Sequence, residues 1–367
     1  MAVSSFYDVT SPVLEVPLRN GTGDIEFEDL SMIVFVMTFA ASVISIILAI
    51  VFVIAFLKYQ EKSTQNILIV CLTVANGLTC VGVVLGAFHY KKDIPFGNSG
   101  NFCIIQSMIC TYFDIVADIY TLYVEINICL IIAFEYVFMN TRRAKVLFHG
   151  SACVIPLTIV LVAWRRDALG ESRSLYGSWC WINESIPNRE RWIWMVVSKQ
   201  GWELVVYLGT CFMFIIIMYQ RCCRKKQLSR RSSDIITSQD FSSSVNVSNE
   251  RTRLIVSGIS SANTRHQASS VNSILVWVGI YFYLAKMWGT IRYSVHIYAL
   301  ASDGDISGFD HFEKYFLIFV QSLGDSLQAT ITCCVFVLKD TELRRKMFCR
   351  SKKQSETNNH QRTKQTT

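Results

Sequence analysis

The segment Ser31–Leu57 contains no Asp, Glu, Lys, Arg or His, and six further long apolar stretches follow it along the chain. A helix needs about 20 apolar residues to cross the roughly 30 Å hydrocarbon core of a bilayer. Because this core holds no water, each stretch must satisfy its own backbone hydrogen bonds as a helix. The sequence therefore predicts an all-α membrane protein, a bundle of seven transmembrane helices. The predicted spans are Ser31–Leu57, Asn66–His89, Phe102–Phe138, Val146–Trp164, Trp192–Tyr219, Ser273–Leu300 and Tyr315–Leu338.

The composition supports this assignment and excludes other classes of protein. Hydrophobic residues make up 51% of the 367 residues and charged residues 17%, a balance typical of membrane bundles rather than of soluble domains. The six histidines are scattered singly, and the chain contains neither a phosphate-binding loop nor a nucleophile elbow. We therefore expect no enzymatic activity, no metal or other cofactor and no nucleic-acid partner.

The distribution of Lys and Arg predicts the orientation. If the N-terminus lies outside, the cytoplasmic segments carry 23 of these residues and the outer segments carry 9, as the positive-inside rule requires. We expect a plasma-membrane protein with an extracellular N-terminus (1–30), a seven-helix domain (31–338) and a cytoplasmic C-terminus. The basic, Ser-rich segment 220–272 is predicted to be a disordered third cytoplasmic loop. Segment 339–350 is predicted to form an amphipathic eighth helix on the membrane lipid, followed by a disordered tail (351–367).

The segments outside the spans contain candidates for covalent modification. Only Cys103, at the start of the third span, and Cys180, between spans four and five, face the oxidising outer side, where disulfides persist. We predict a bond between them that tethers the outer loop to the third helix; the alternative is two free thiols. Asn20 and Asn183 begin Asn-x-Ser/Thr triplets in outer segments and are predicted glycosylation sites. Cys349 follows the last span and is a candidate for palmitoylation.

The third span carries a stripe of acidic residues. Asp114, Asp118 and Glu125 are spaced by four and seven residues, so on a helix their directions agree within about 40°. A charged group costs at least about 2.5 kcal/mol inside a bilayer and therefore usually faces the interior of the bundle with a partner. Basic partners are available in Lys199 of the fifth span and in Lys286 and Arg292 of the sixth. The further candidate residues of a pocket are Trp202, Glu203 and Asp325.

Two hypotheses describe these charged residues. In the first, they line a polar cavity open to the outside, in which a ligand exchanges with internal ion pairs. In the second, the ion pairs satisfy one another and fix the register of the helices. Charge alone does not separate a binding pocket from a structural network, so both hypotheses stay open at the level of the sequence.

Several motifs carry a resemblance to a known family. They are Trp179-Cys180-Trp181-Ile182 in the outer loop, Lys199-x-x-Trp202-Glu203 at the start of the fifth span and Trp288-x-Thr290-x-Arg292 in the sixth. With them the chain resembles the G-protein-coupled receptors of the cAMP-receptor-like and secretin-like branch. Within this branch it looks most like the orphan family called G-protein-coupled receptor 157. The third span ends in Phe134-Glu135-Tyr136, where rhodopsin-type receptors have Asp-Arg-Tyr.

The resemblance implies an orphan receptor that transduces an unknown extracellular ligand to a heterotrimeric G protein, with a phospholipase-C-linked α subunit as the first expectation. Arg142, Arg143 and Lys145 would face the G protein, and Glu135 would lock the inner end of the third helix. Kinases and arrestin-like regulators would be further partners. One alternative is an ion or solute transporter or channel that uses the acidic stripe as its path. Another is a signalling-silent scaffold that presents its cytoplasmic loop and tail.

Overall fold

Helices form most of the chain that the structure describes. The computed structural model describes residues 23–59, 64–91, 100–134, 141–171, 180–239, 280, 283–284, 286–295, 297–298 and 316–339. The helices are α1 (Gly23–Tyr59), α2 (Thr64–Lys91), α3 (Gly100–Phe134), α4 (Arg142–Arg165), α5 (Asn188–Met195), α6 (Gly201–Gln239) and α7 (Ile318–Lys339). A π-helical turn, Val196–Gln200, joins α5 to α6. Residues 286–295, here called the sixth-span segment, are helical as well.

The membrane-crossing stretches follow the predicted spans in order. Within the part of the chain that the structure describes, five stretches are long and apolar enough to cross a membrane: Met32–Lys58, Asn66–Phe88, Asn101–Ile131, Arg142–Arg165 and Asn188–Gln220. They correspond to the first five predicted spans. The sixth-span segment lies within the sixth predicted span, and α7 covers most of the seventh and ends one residue beyond it. Polar residues such as Gln321, Asp325 and Gln328 interrupt the apolar sequence of α7.

The third helix lies at the centre of the bundle. It contacts α2, α4 and α6, whereas α1 packs against α2 and α7. The hydrophobic core around it includes the fully buried Leu68, Ile115 and Ala117. On the outward-facing surface of the bundle, by contrast, large apolar side chains such as Ile54 and Leu208 are mostly exposed. Soluble proteins rarely expose a continuous apolar surface of this kind to water. The hydrocarbon of a bilayer, by contrast, contacts such a surface without cost, so this surface is the one that faces lipid.

A short hairpin and a disulfide cover one end of the bundle. The strands are β1 (Leu169–Gly170) and β2 (Trp181–Ile182). They pair antiparallel, with Leu169 opposite Ile182, and all four residues are buried. Cys180, directly before β2, is bonded to Cys103 near the start of α3, with the two Cα atoms 5.3 Å apart. The predicted disulfide is therefore confirmed, and it ties the hairpin to the central helix.

The structure differs from the sequence prediction in the segment that is predicted to be the third cytoplasmic loop. Residues 220–239 belong to α6, although the whole of 220–272 was predicted to be disordered from its polar composition. Arg, Lys, Gln and Leu are good helix formers, and a helix already nucleated in the membrane grows by one hydrogen bond per added residue. The predicted eighth helix and cytoplasmic tail and the residues Asn20, Glu135 and Cys349 lie outside the described residues.

Candidate functional site

Two lysines and four carboxylates form ion pairs where α3, α6, the sixth-span segment and α7 meet. The Nζ atom of Lys199, in the π-helical turn, lies 3.1 Å from Asp325 Oδ2 and 3.8 Å from Asp114 Oδ2. We call these three residues the shallow triad. The Nζ atom of Lys286 lies 3.3 Å from Asp118 Oδ1 and 3.7 Å from Glu203 Oε1. We call these three residues the deep triad; six of the nine predicted pocket residues thus belong to one triad or the other.

The two triads differ in their exposure. The side chains of Asp114 and Asp325 are 17% and 21% exposed. The side chains of Lys286, Asp118 and Glu203 are 2%, 0% and 1% exposed. Taking one partner from a buried pair leaves an uncompensated charge in a medium of low dielectric constant, which is far more costly than at a solvated site. The deep triad is therefore the more strongly constrained of the two.

The position of Lys199 depends on the π-helical turn that contains it. A Cβ atom added to Gly201 would lie 2.8 Å from the carbonyl oxygen of Val196, so this backbone tolerates no side chain without a shift. The indole Nε1 of Trp202 donates to the carbonyl oxygen of Val197 at 3.0 Å. Single π-helical turns inside α-helices are rare and often occur at functional sites. Trp202, predicted as a pocket residue, thus binds the backbone of the turn.

Gln321 connects the shallow triad to the sixth-span segment. Its Nε2 donates to the hydroxyl oxygen of Tyr293 at 2.7 Å and to Asp325 Oδ2 at 3.4 Å. Its Oε1 accepts from Nη1 of Arg292 at 3.0 Å. The sequence prediction missed Gln321 because an amide carries no charge, although its position one turn before Asp325 could have indicated it. The predicted residue Arg292 is buried and contacts the triad through this amide.

Two uncharged residues extend the deep triad. The Thr290 hydroxyl donates to Glu203 Oε2 at 2.8 Å, and the hydroxyl oxygen of Tyr207 lies 3.0 Å from Thr290 Oγ1. The carboxylate of Glu203 thus has a lysine on one oxygen and a hydroxyl on the other. Thr290 belongs to a motif quoted for the family resemblance, but its role could not be predicted without the positions of both helices.

Glu125, the third member of the acidic stripe, lies apart from both triads. Its Oε1 accepts a hydrogen bond from Thr210 Oγ1 at 2.6 Å. It forms no ion pair with any Lys or Arg that the structure describes. Instead it lines a separate cavity of about 280 Å³ between α3, α6 and the residues Ile280, Tyr283 and Leu284. The stripe predicted as one surface is therefore divided between two environments.

The predicted G-protein-facing residues begin α4. Arg142 and Arg143 are exposed and Lys145 is half-buried. Thr141 caps the helix, since the amide of Ala144 donates to its hydroxyl at 3.3 Å. This cap fixes where the basic turn begins. The role of these residues stays a prediction.

Asn183, the second predicted glycosylation site, lies in the turn after β2. Its Nδ2 donates to the carbonyl oxygen of Asp167 at 3.1 Å, and its Oδ1 accepts from the amide of Ser185 at 3.0 Å. Asp167 has a φ of 52°, a conformation that Asp tolerates better than most residues. Glycosylation at this residue stays a prediction.

Comparisons with known proteins support the assignment of the fold. No protein-family model matches the chain. The chain is 19% identical to G-protein coupled receptor 157 of Mus musculus over 300 residues, which cover 78% of this chain and 76% of the relative. It is also 19% identical to the Homo sapiens receptor of the same name over 247 residues, 67% of this chain and 64% of that protein. Among solved structures, squid rhodopsin matches with a TM-score of 0.61 at 12% identity, over 88% of this chain and 84% of that chain.

The predicted resemblance to the G-protein-coupled receptors, and to receptor 157 among them, is confirmed. The seven-helix bundle predicted from the sequence is confirmed as well, and the chain is a multi-pass membrane protein. In this receptor-like bundle the disulfide, the hairpin and the shallow triad are connected, because the ring of Tyr293 lies 5.0 Å from that of Trp181 in β2. The same ring lies 5.4 Å from Nζ of Lys199.

Proposed function

We propose that this protein is a receptor of the plasma membrane, with its N-terminus outside, that transduces an extracellular ligand to a heterotrimeric G protein. The observation that carries the proposal is the pair of triads. Through Lys286 the deep triad attaches the sixth-span segment to α3 and α6. The shallow triad attaches α7 to the π-helical turn and α3. Together they restrain the segments whose relative movement would transmit a signal.

The shallow triad is the proposed point of ligand action. Its carboxylates are partly exposed, so a charged group of a ligand could replace Asp325 or Lys199 in the pair. Release of Asp325 would change the hydrogen bonds of Gln321 and hence the position of Arg292 in the sixth-span segment. A ligand shifts the population of states only if its affinity for them differs, and a changed ion pair supplies such a difference.

The proposed transducer contact is the basic turn at the start of α4. Arg142 and Arg143 are exposed there, and basic side chains steer and orient acidic protein surfaces. A phospholipase-C-linked α subunit is the first candidate, by analogy with the family. Glu135, kinases and arrestin-like regulators belong to the same proposal.

The proposal is tested by G-protein dissociation across a panel of α subunits in cells that express the full chain. We expect basal activation of one α-subunit class and its loss in the double variant Arg142→Ala/Arg143→Ala at equal surface level. The matched control is Arg165→Ala/Arg166→Ala, which removes two exposed arginines at the other end of α4 and should keep the basal signal. Equal loss in both double variants, or no activation of any α subunit, would contradict the proposal.

The transporter or channel alternative requires a polar path along the acidic stripe. Asp118 is paired with Lys286 and sealed from solvent, and Glu125 faces a different cavity. This arrangement favours the receptor over a continuous path. Ion or solute flux that depends on both Asp118 and Glu125 would favour the alternative.

A further inference from the structure

Glu125 differs from the four carboxylates of the two triads, because no Lys or Arg among the residues that the structure describes forms an ion pair with it. Asp114, Asp118, Glu203 and Asp325 each lie within 4 Å of a lysine. Glu125 accepts only from Thr210, and its Oε2 is buried without a hydrogen-bond partner among the residues that the structure describes. A buried carboxylate oxygen without a partner is costly. The site is therefore electrostatically incomplete.

The cavity beside Glu125 is lined mainly by apolar side chains, and its polar groups are this carboxylate, the hydroxyls of Thr210 and Tyr283 and the thiol of Cys211. Its walls include Met213 and Phe214 of α6 and Leu284 near the sixth-span segment. Phe214 and Leu284 are exposed on the outward-facing surface of the bundle, which is the surface that contacts lipid. The volume of about 280 Å³ is near the lower limit of small-molecule pockets. A molecule dissolved in the bilayer could enter from the side.

The cavity is also separate from the ion-pair network. One residue before Thr210, α6 approaches α3 so closely that a Cβ atom on Gly209 would lie 2.8 Å from Leu122 Cδ1. This close packing lies between the cavity and the deep triad along α6. A ligand of the shallow triad and a ligand of this cavity would therefore occupy different sites.

We propose that this cavity binds a lipophilic amine from the bilayer, with its ammonium group on Glu125 and its apolar body against α6, Ile280, Tyr283 and Leu284. The ammonium supplies the cation that the other carboxylates receive from lysine. Charge-assisted hydrogen bonds are stronger than neutral ones and are favoured further by the apolar surroundings. The apolar body replaces lipid on a surface that is already lipid-exposed.

The test uses the purified full chain in phosphatidylcholine nanodiscs and photoreactive analogues of dodecylamine, dodecanol and dodecanoate that share one chain length. We expect the amine to label the peptides around Met213, Phe214 and Leu284, and excess dodecylamine to compete. In Glu125→Gln the labelling should fall about tenfold, as expected for loss of one charge-assisted hydrogen bond. The alcohol and the carboxylate should label weakly, without dependence on residue 125.

Cavity-filling variants keep the test decisive if Glu125→Gln folds poorly. Leu284→Trp should block labelling by filling the cavity. Leu208→Trp adds the same side chain at an exposed position of α6 outside the cavity and should not. Equal labelling by the three analogues, or amine labelling unchanged in both Glu125→Gln and Leu284→Trp, would overturn the proposal and indicate ordinary lipid contact. The labelling experiment measures amine binding in the absence of a G protein. A failure of the amine proposal is therefore distinguishable from a failure of the receptor proposal.

Discussion

The shallow triad and the deep triad are built alike and differ in their access to solvent. In each, one lysine lies between carboxylates from two other parts of the bundle. The deep triad is at most 2% exposed, so it can fix the register of helices but cannot meet a solute. The carboxylates of the shallow triad keep contact with solvent and can exchange partners. The sequence left two hypotheses open, a ligand cavity and a structural network. In our interpretation the first applies to the shallow triad and the second to the deep triad.

The largest effect is expected from removing the cation of the deep triad. Lys286→Met leaves Asp118 and Glu203 buried without a cation, and breaking a buried pair in this way costs about 3–5 kcal/mol. We expect a strongly lowered melting temperature in detergent and little protein at the cell surface. Adding Asp118→Asn and Glu203→Gln should recover much of the loss, because no unpaired charge remains. A single variant as stable as the wild type would contradict the structural role of this triad.

A smaller effect is expected from the π-helical turn that positions the shallow triad. In Gly201→Ala the new methyl group meets the backbone oxygen of Val196, and overpacking of this kind costs about 1–3 kcal/mol. The matched control is Gly150→Ala in α4, where an added Cβ meets nothing within 4 Å and the melting temperature should not fall. Because the shift displaces Lys199, the variant should also alter basal G-protein activation. Normal G-protein activation together with a lowered melting temperature would show that the π-helical turn contributes to stability but does not control signalling through the shallow triad.

Removing the cation of the shallow triad should cost still less stability. In Lys199→Met the carboxylates of Asp114 and Asp325 keep contact with solvent, which screens their charge, so we expect a loss of about 1 kcal/mol. Basal G-protein activation should change more in this variant than its melting temperature does. The two measurements should be made in parallel with those on Lys286→Met. An equal fall in melting temperature for both lysines would remove the distinction between the triads.

Pairing of the intramembrane charges could be predicted from the sequence because an unpaired charge is too costly in a bilayer. Which lysine pairs with which carboxylate could not be predicted. It depends on the π-helical turn, which shifts Lys199 relative to the regular helix, and on the rotation of the sixth-span segment around Lys286. The disulfide was predictable for a simpler reason, since only Cys103 and Cys180 were assigned to the outer side.

The role of Thr290 and the division of the stripe could not be predicted from the sequence. Thr290 is central to the hydrogen bonds but resembles many other polar residues in apolar segments, whereas Gln321 could have been indicated by its position one turn before Asp325. Glu125 shares its helical face with Asp118, yet its neighbour on α6 is Thr210 rather than a base. Helical periodicity gives the direction of a side chain on its own helix, whereas its partner depends on the axial register of two helices. That register is decided by packing contacts such as the one at Gly209.

The smallest effect concerns the link between the shallow triad and the hairpin. Tyr293→Phe keeps the ring that lies near Lys199 and Trp181 and removes only the hydroxyl that accepts from Gln321. We expect a loss of about 0.5–1 kcal/mol, typical of one hydrogen bond, because the amide keeps its contact with Asp325. Tyr293→Leu also removes the ring and should lower the melting temperature further, by the packing and cation–π contributions. If both variants lose equal stability, the hydrogen bond to Gln321 is the whole link. If only Tyr293→Leu is affected, the ring alone connects the hairpin to the triad.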